Sequence, residues 1–285
     1  MPQRIALIGK PLRRPHGALM HNAACLACGI DASAELVELD TDELPTFIEG
    51  MRHPDWLGFQ VTAPYKQRVI ELLDVVEDEA LEIGAVNTGV RLGDGSLIGF
   101  NTDAPGWLAA VERDLHVTMH GLSVLLLGAG GVAHAIAHAC VANRVARLTI
   151  ANRTLEAAQH LAAKYSVPDS IVQATVLNSR CAETALVQAD LVVNATVVGM
   201  TTPGPLVDVS ACQRDTAVFD VVFCPARTEL VRTAEQHGMR AANGVGMLVA
   251  QATLAFERWT GCRDVFEVMQ RSIQPLLNVE HRHES

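Results

Sequence analysis

Residues 123–133, with the sequence SVLLLGAGGVA, decide the fold of this chain. The run SVLLL has the length and apolar character of a buried strand, and the residues after it follow the pattern G-x-G-x-x-A at Gly128, Gly130 and Ala133. An Ala-rich helical pattern continues to about Ala142. A strand, a glycine turn and a helix in this order are the fingerprint of a dinucleotide-binding unit. The alternative is a glycine-rich turn in an α/β domain that binds no nucleotide.

The two glycines of this turn have physical reasons to be there. Gly128 permits a tight turn after the strand, and Gly130 lets the backbone approach a pyrophosphate. The start of the helix offers unpaired N–H groups and a partial positive charge to the phosphates. We therefore predict that the whole turn contacts a cofactor, through Gly128, Ala129, Gly130, Gly131, Val132 and Ala133.

The end of the next predicted strand indicates which dinucleotide is bound. About twenty residues after the fingerprint, an NAD enzyme usually places an acidic residue that binds the ribose hydroxyls. This chain has Asn152, Arg153 and Thr154 there. The Arg153 guanidinium can bind a 2′-phosphate, so the motif favours NADP, with NAD as the second possibility. In the alternative interpretation Thr154 is only a helix N-cap and Arg153 is a solvated side chain.

Apolar runs and helical patterns alternate over the rest of the chain, which predicts βαβ units with mostly parallel strands and therefore an α/β fold. A polar stretch containing Gly93-Asp94-Gly95 predicts a hairpin turn, after which a second α/β series begins. The first series has predicted strands at 5–8, 34–39, 58–61 and 97–100 and helices at 18–28, 44–51 and 66–73. The second has strands at 123–127, 147–151, 191–195 and 217–222, an Ala-rich helix after the glycine turn that ends at about 142, and helices at 246–259 and 265–277, while a helical connector at 102–115 joins the two series.

Length and composition favour a packed protein of two domains. The chain has 285 residues, of which 49% are hydrophobic and 19% charged. Its formal charge of -10 comes from scattered acidic residues without a basic run, which argues against a nucleic-acid surface. We expect neither a signal peptide nor a membrane anchor, because no apolar run approaches the roughly 18 residues that a membrane span needs.

The cysteines and histidines do not predict a metal site. Seven cysteines, an odd number, are spread over a chain that needs no covalent cross-links, so we expect reduced thiols and a cytoplasmic location. Cys25 and Cys28 form a C-x-x-C pattern, which we interpret as two apolar positions on one helix face, since no second pair completes a zinc site. His134 and His138 are four residues apart, but no third ligand lies near them. We interpret them as solvated or core-edge histidines.

Further short motifs follow one another along the chain. They are Gly9-x-Pro11, Met20-His21-Asn22, Val61-Thr62-x-Pro64-x-Lys66, Gly84-Ala85-Val86-Asn87-Thr88, Gly99-x-Asn101-Thr102-Asp103, Asn194-Ala195-Thr196 with Gly199-Met200, and Gly244-x-Gly246-Met247-Leu248 with Gln251. Each motif alone is weak evidence, but the ordered set resembles the shikimate and quinate dehydrogenase family over nearly the whole chain. The resemblance implies an N-terminal α/β substrate domain of residues 1–101 plus 247–285 and a Rossmann-like NAD(P)-binding domain of residues 102–246. It also implies that the C-terminal helices return to the first domain.

The resemblance implies roles for individual residues. Lys66 and Asp103 would be the catalytic pair beside the hydroxyl being oxidised, with Asp103 orienting the lysine. Because a lysine has an ordinary pKa of about 10.4, it must be desolvated or otherwise tuned to exchange protons near neutral pH. In isolation Lys66 would be interpreted as a surface lysine in the first turn of a helix. Ring hydroxyls would be bound by Thr62, Asn87 and Gln251, and the cofactor would also contact Thr196, Met200, Val222, Gly244 and Met247.

The chain departs from the family pattern where the acidic end of the substrate is expected. The family places two Ser or Thr residues there, whereas this chain has Pro15 and Gly17, and Phe223 replaces a Tyr. We expect an arginine of the same segment, Arg14 rather than Arg13, to bind the substrate carboxylate through a bidentate contact. In the alternative, both arginines are solvated and the substrate carries a different group. Smaller departures lie at Gln60, Ala157 and Asn243.

Together these observations predict a dehydrogenase that acts reversibly, with NADP, on 3-dehydroshikimate or a related cyclic keto acid. The alternatives are a quinate/shikimate dehydrogenase that uses NAD and a non-catalytic metabolite or cofactor sensor of the same fold. The presence of both Lys66 and Asp103 favours the enzyme, since a sensor has no need of the pair. We expect a small cyclic hydroxy acid as substrate, no nucleic-acid or membrane partner, and a monomer or homodimer.

Overall fold

A computed structural model of the chain describes residues 2–12, 14–166, 170–200, 202 and 204–282, except for the side chains of 278–282. The chain forms two compact units, Met1–Gly106 with Val249–Leu276 and Trp107–Leu248 with Leu277–Ser285. In the described part of the chain each unit has its own six-stranded sheet, and helices alternate with the strands. The α/β architecture predicted from the sequence is therefore confirmed. Every helix within these residues is too short or too polar to cross a membrane.

The first unit is built on a mixed sheet. Its strands are β1 (Gln3–Gly9), β2 (Ala32–Glu38), β3 (Trp56–Val61), β4 (Val75–Val76), β5 (Thr88–Arg91) and β6 (Leu97–Phe100). They lie in the order β2-β1-β3-β5-β6-β4, with β1 parallel to both neighbours and β5 antiparallel to β3 and β6. The helices that follow these strands are α1 (His16–Cys28), α2 (Leu44–Gly50), α3 (Asp78–Ile83) and α4 (Asp103–Leu115), of which α4 contributes its first turn to this unit.

The core of the first unit holds the C-terminal ends of β1 and β3 side by side. Residues 5–8 of β1 are apolar and fully buried, as expected for a strand between two parallel neighbours. Ile8 packs with Ile48 of α2 and Phe59 of β3 in one buried cluster. Beyond the strands, the Thr62 N–H donates to the Ile8 carbonyl over 2.8 Å, so the residues that follow β1 and β3 share one edge of the sheet.

The second unit is a doubly wound parallel sheet. Its strands are β7 (Ser123–Leu127), β8 (Arg147–Asn152), β9 (Ile171–Val176), β10 (Leu191–Asn194), β11 (Ala217–Asp220) and β12 (Arg240–Ala242), in the order β12-β11-β10-β7-β8-β9. The helices of this unit are α5 (Gly131–Ala142), α6 (Leu155–Lys164), α7 (Arg180–Gln188) and α8 (Glu229–Gln236). The chain continues with α9 (Val245–Thr260), which belongs to the first unit from Val249 on, and α10 (Phe266–Arg282), which belongs to the first unit up to Leu276. The strand order reverses beside β7, and ligands of such sheets bind at this switch point.

The helix predicted for residues 66–73 is wrong in its extent. Only Arg68–Leu72 is helical, and it forms a short 3-10 helix. The Lys66 carbonyl accepts a hydrogen bond from the Val86 N–H over 2.8 Å instead of a bond from the next turn of a helix. This long-range bond ties the segment after β3 to the residues before β5.

The structure also corrects the interpretation of two cysteines. Cys28, at the end of α1, forms a disulfide with Cys262, which follows α9, and their Cα atoms are 6.8 Å apart. The expectation of reduced thiols is therefore wrong for Cys28 and Cys262, and so is the interpretation of Cys28 as an apolar helix position. The other five cysteines are free thiols. Cys25 is a buried free thiol, as the C-x-x-C interpretation required. Because a disulfide is present, the cysteines no longer argue for a reducing compartment.

Candidate active site

Lys66 and Asp103 contact each other in the first unit. Lys66 Nζ donates a hydrogen bond to Asp103 Oδ2 over 2.6 Å, and the two side chains are 18% and 7% exposed. Asp103 is the first residue of α4, where the partial positive charge of the helix N-terminus stabilises a carboxylate. The Asp103 N–H donates to Asn101 Oδ1 over 2.9 Å, which holds this turn in place. The predicted pair thus forms an ion pair that is largely shielded from water.

Asn87 links the start of β5 to the residues before α4. Its Oδ1 accepts hydrogen bonds from the Thr102 N–H over 2.8 Å and from Thr88 Oγ1 over 2.9 Å. Its Nδ2 donates to Thr102 Oγ1 over 3.0 Å, and all three side chains are buried. This buried cluster fixes the residue that precedes Asp103, a positioning role for Asn87 that the sequence analysis missed.

Thr62 follows β3 and Arg14 precedes α1 in the first unit. Thr62 is exposed directly after β3, and a Cβ placed on Gly9 would lie 2.4 Å from its methyl group, so only glycine allows this approach. Arg14 is half-buried before α1, and Pro15 is the N-cap of that helix without a side-chain capping bond. Arg13 lies outside the described residues. The carboxylate contact of Arg14 stays a prediction.

Gln251 belongs to a row of hydrogen-bonded polar side chains. Its Oε1 accepts from Gln60 Nε2 over 2.8 Å, and Gln60 Oε1 lies 2.8 Å from His21 Nε2. The backbone of Gln251 passes close to α4, since a Cβ on Gly106 would lie 2.9 Å from the Gln251 nitrogen. Gly106 lies one helical turn after Asp103, so Gln251 is packed against the turn that carries the ion pair. The sequence shows Gln60 only as a departure from the family pattern, and no motif predicts this row.

The glycine turn of the second unit has room for a bound phosphate group. Gly128 has a φ of 107°, and a Cβ there would lie 2.8 Å from Thr196 Cγ2. Gly130 is the N-cap of α5, and no side-chain hydrogen bond caps this helix. A Cβ on Gly130 or Gly131 would meet no atom within 4 Å. The helix N-terminus and open space above two glycines therefore fit the pyrophosphate of a dinucleotide.

The segment after β8 presents one exposed cation. Asn152 Nδ2 donates to the Thr154 carbonyl over 2.9 Å, which holds the turn closed. Thr154 is the N-cap residue of α6, but its side chain makes no capping hydrogen bond, so the alternative interpretation holds for its position only. Arg153 is exposed and has no hydrogen bond or ion pair with any residue that the structure describes. Its guanidinium is therefore available for a 2′-phosphate.

Comparison with known proteins assigns the chain to a family. Residues 7–88 match the family model of the shikimate dehydrogenase substrate binding domain, residues 110–229 that of shikimate/quinate 5-dehydrogenase, and residues 244–274 that of the shikimate 5′-dehydrogenase C-terminal domain. A shikimate dehydrogenase (NADP(+)) of Symbiobacterium thermophilum is 40% identical over 94% of this chain and 93% of its own. This chain belongs to the shikimate and quinate dehydrogenase family. The resemblance inferred from the motifs is therefore confirmed.

Solved structures of this family have the same fold. The shikimate 5-dehydrogenase of Thermus thermophilus, in complex with NADP(H) and shikimate, is 32% identical, with a TM-score of 0.85 over 96% of this chain and 99% of that one. The quinate dehydrogenase of Corynebacterium glutamicum, in complex with NAD, is 33% identical, with a TM-score of 0.88 over the same shares of the two chains. The protein is accordingly an NAD(P)-dependent dehydrogenase that acts on a CH–OH group, and the sensor alternative is set aside.

In this dehydrogenase a buried carboxylate positions two of the predicted cofactor residues. Asp220 Oδ1 accepts hydrogen bonds from the Val222 N–H over 3.0 Å and from Asn194 Nδ2 over 2.9 Å, and its Oδ2 accepts from Thr228 Oγ1 over 2.6 Å. Asn194 Oδ1 in turn accepts from Thr196 Oγ1 over 2.8 Å. Burial raises the pKa of Asp220, and its hydrogen bonds oppose that shift. No sequence motif predicts this role of Asp220.

The remaining predicted cofactor residues lie on the segments after β10 and β12. Gly244 is buried, and a Cβ there would lie 2.0 Å from the Val221 carbonyl oxygen, so the position requires glycine. Met247 is buried on α9, whereas Met200 is exposed in the loop after β10. Asn243, a departure from the family pattern, accepts the Val245 N–H with its Oδ1 over 3.0 Å and so pairs the first N–H group of α9.

The histidines of α5 belong to no candidate metal-binding group within the described residues. The described residues contain no group of three His, Cys, Asp or Glu side chains that could hold a metal ion. His134 and His138 are both half-buried, and the His138 ring packs edge-on against Tyr165 with 6.0 Å between the ring centroids. His138 is thus a packing residue on this face of α5.

Proposed function

We propose that this dehydrogenase catalyses the reversible, NADP-dependent reduction of 3-dehydroshikimate to shikimate, or of a closely related cyclic keto acid to its hydroxy acid. The observation that carries the proposal is the shielded ion pair of Lys66 with Asp103, at 2.6 Å. The relatives support the substrate, because the Symbiobacterium protein is a shikimate dehydrogenase and the Thermus enzyme binds shikimate and NADP(H) in its crystal.

The contribution of the ion pair is proton transfer. When bound, the cofactor would supply the hydride as NADPH in the reductive direction and accept it as NADP+ in the oxidative direction. In the reductive direction the ketone oxygen takes a proton from the Lys66 ammonium, and in the oxidative direction Lys66 accepts the hydroxyl proton. Asp103, whose Oδ2 is 2.6 Å from Lys66 Nζ, holds the lysine in place and stabilises its ammonium form. While Lys66 is an ammonium, it would donate to the hydroxyl oxygen and the hydroxyl would donate to Asp103; in the oxidative step Lys66 is a neutral amine and the hydroxyl proton goes to its Nζ. A positioned acid–base group of this kind contributes about 10²- to 10⁴-fold to the rate.

We assign substrate binding to neutral side chains of the first unit and one arginine. Thr62 and Gln251 would bind ring hydroxyls. Asn87 would add one bond, because its Nδ2 uses one of two hydrogens for Thr102. Arg14 would bind the carboxylate in a bidentate contact. Arg14→Ala should then raise the KM for shikimate at least about tenfold, and an unchanged KM would point to a substrate without a carboxylate.

Cofactor binding is assigned to the second unit. The glycine turn would hold the pyrophosphate, and Arg153 would bind the 2′-phosphate of NADP. A second candidate function is NAD-dependent quinate dehydrogenation, as in the Corynebacterium enzyme. One observation favours this second candidate. Arg153 is the only cation in residues 152–158, and Ala157, a departure from the family pattern, supplies no second positive charge. A single cation predicts only a modest preference for NADP.

A cofactor-reduction screen tests the proposal. The full-length protein is assayed with shikimate and with quinate, each in combination with NADP and with NAD, and Lys66→Met serves as the control without a proton-transfer group. We expect the highest kcat/KM with shikimate and NADP. The highest value with quinate and NAD would select the second candidate. Rates no higher than those of Lys66→Met in all four combinations would overturn both.

A further inference from the structure

Three polar side chains from three elements of the first unit form a continuous row. His21 lies on α1, Gln60 on β3 and Gln251 on α9. His21 Nε2 is 2.8 Å from Gln60 Oε1, and Gln60 Nε2 is 2.8 Å from Gln251 Oε1. We call these three residues the amide row. Its last member is a proposed substrate ligand, while its first member is fully buried.

Aromatic packing fixes the ring of His21. The ring contacts Trp259 edge-on, with 4.9 Å between centroids, and lies nearly parallel to Phe256 at 6.2 Å. Its Nδ1 is buried without a hydrogen-bond partner among the described residues. Burial lowers the pKa of His21 to about 4, against the opposing effect of the Gln60 bond, so the ring is neutral at neutral pH.

A neutral imidazole has one N–H, and the surroundings decide which nitrogen carries it. A buried N–H without an acceptor is rarer in proteins than a buried acceptor without a donor. The hydrogen therefore belongs on Nε2, which has Gln60 Oε1 in front of it, and Nδ1 remains a bare acceptor. Gln60 then accepts with its oxygen and donates with its nitrogen. This donor order directs the Gln251 oxygen to Gln60.

We propose that His21 is a positioning residue that, through Gln60, orients the Gln251 carboxamide so that its N–H₂ group is the one presented to a substrate hydroxyl oxygen. The inference deepens the proposed function and rests on it for the identity of the ligand. It adds a direction to the contact, since Gln251 acts as donor and the substrate oxygen as acceptor. The Gln251 backbone packs against Gly106 of α4, so the donor is held beside the turn that carries Asp103.

Two substitutions of His21 separate positioning from packing, because the two roles predict opposite orders of shikimate affinity for them. His21→Gln keeps an N–H donor near the position of Nε2 but loses the ring, whereas His21→Phe keeps the ring and loses the donor. If His21 orients Gln60, His21→Phe should raise the KM and Kd for shikimate about three- to tenfold with little change in kcat, and His21→Gln should stay closer to the wild type. A packing role predicts the reverse order. Any result in which His21→Gln binds shikimate no more tightly than His21→Phe overturns the proposal.

A third variant guards against a folding defect in the buried His21 substitutions. Gln60→Met keeps the length of the side chain and removes both hydrogen bonds of the amide row. It should raise the KM for shikimate as His21→Phe does. The double variant His21→Phe with Gln60→Met should have a KM no higher than that of either single variant. Additive losses in the double variant would show that the two residues act independently and would overturn the row.

One measurement needs no substrate. In nitrogen-15 NMR spectra of the full-length protein, the His21 ring should show the Nε2–H tautomer, and a Nδ1–H tautomer would overturn the donor order. If the wild-type protein does not turn over shikimate, the proposed function fails, while this spectrum still decides whether His21 donates to Gln60.

Discussion

Replacing Lys66 by methionine should damage stability and turnover by different routes, and a second substitution should separate them. Methionine keeps the length of the side chain and removes the charge. The Asp103 carboxylate, 7% exposed, then lies in the first unit without the ammonium that is now 2.6 Å away. We expect the free energy of unfolding to fall by about 2–4 kcal/mol, because an uncompensated buried charge is left behind.

The double variant Lys66→Met with Asp103→Asn should recover most of this stability. An asparagine fills the same space and leaves no buried charge. Turnover should stay low in both variants, by about 10²- to 10⁴-fold, which corresponds to about 3–5 kcal/mol of activation free energy. The double variant should therefore be nearly as stable as the wild type but remain nearly inactive.

The assay is urea unfolding followed by circular dichroism, together with steady-state kinetics at saturating NADP. Lys10→Met is the matched control, since Lys10 also pairs with a carboxylate, Asp40, but both side chains are exposed, at 45% and 67%. This control should leave the unfolding midpoint and kcat unchanged. The reasoning is refuted if Asp103→Asn restores no stability to Lys66→Met, or if Lys66→Met turns over within a few-fold of the wild type.

Three further predictions concern the cofactor, the buried histidine and the disulfide. Arg153→Ala should raise the KM for NADP about tenfold or more and leave the KM for NAD unchanged. The control is Arg214→Ala, which removes another exposed arginine and should change neither KM. Equal effects of Arg153→Ala on both cofactors would place Arg153 outside the 2′-phosphate site. Because the folded pKa of His21, about 4, lies below its unfolded value of 6.5, the unfolded state binds more protons in this range. The stabilising contribution of the neutral His21 ring is present above pH 6.5 and is lost as the pH falls below that value, at about 1.4 kcal/mol per pH unit. Between pH 7 and pH 4.5 the free energy of unfolding should therefore fall more in the wild type than in His21→Phe. Equal decreases in the two proteins would contradict this. Cys28→Ser should lower the free energy of unfolding by about 2–5 kcal/mol, because it removes the disulfide with Cys262. A reducing agent should destabilise the wild type but not this variant, and a wild type that is insensitive to the reductant would show that the disulfide does not form in solution.

Local signals explain what the sequence predicts correctly about the fold. Strand β7, the turn at Gly128 and helix α5 lie within twenty residues of one another and carry their own periodicity and glycine chemistry. The helix predicted at 66–73 failed because the Lys66 carbonyl bonds to Val86, which no local pattern reveals. Strand β9 is not predicted for a different reason, because it has no buried apolar run. It lies at the edge of the sheet, and its residue Ile171 is 53% exposed.

The candidate site shows the same division. Lys66 and Asp103 are 37 residues apart, and only the resemblance to a family predicted their pairing. The amide row joins residues separated by 39 and 191 positions, through neutral groups that leave no charge pattern in the sequence. The one visible signal was Gln60, which departs from the family pattern. The Gln60 carboxamide contacts both His21 and Gln251.

The disulfide turns most of the chain into a covalent ring. Cys28 and Cys262 are 234 residues apart, and the ring they close contains all of Trp107–Leu248. A single backbone cut inside it would leave the two fragments attached, so a nicked protein should migrate as one band until a reductant is added. A pull on the two ends of the chain would also extend only the residues before Cys28 and after Cys262. The sheet of the second unit would carry no load.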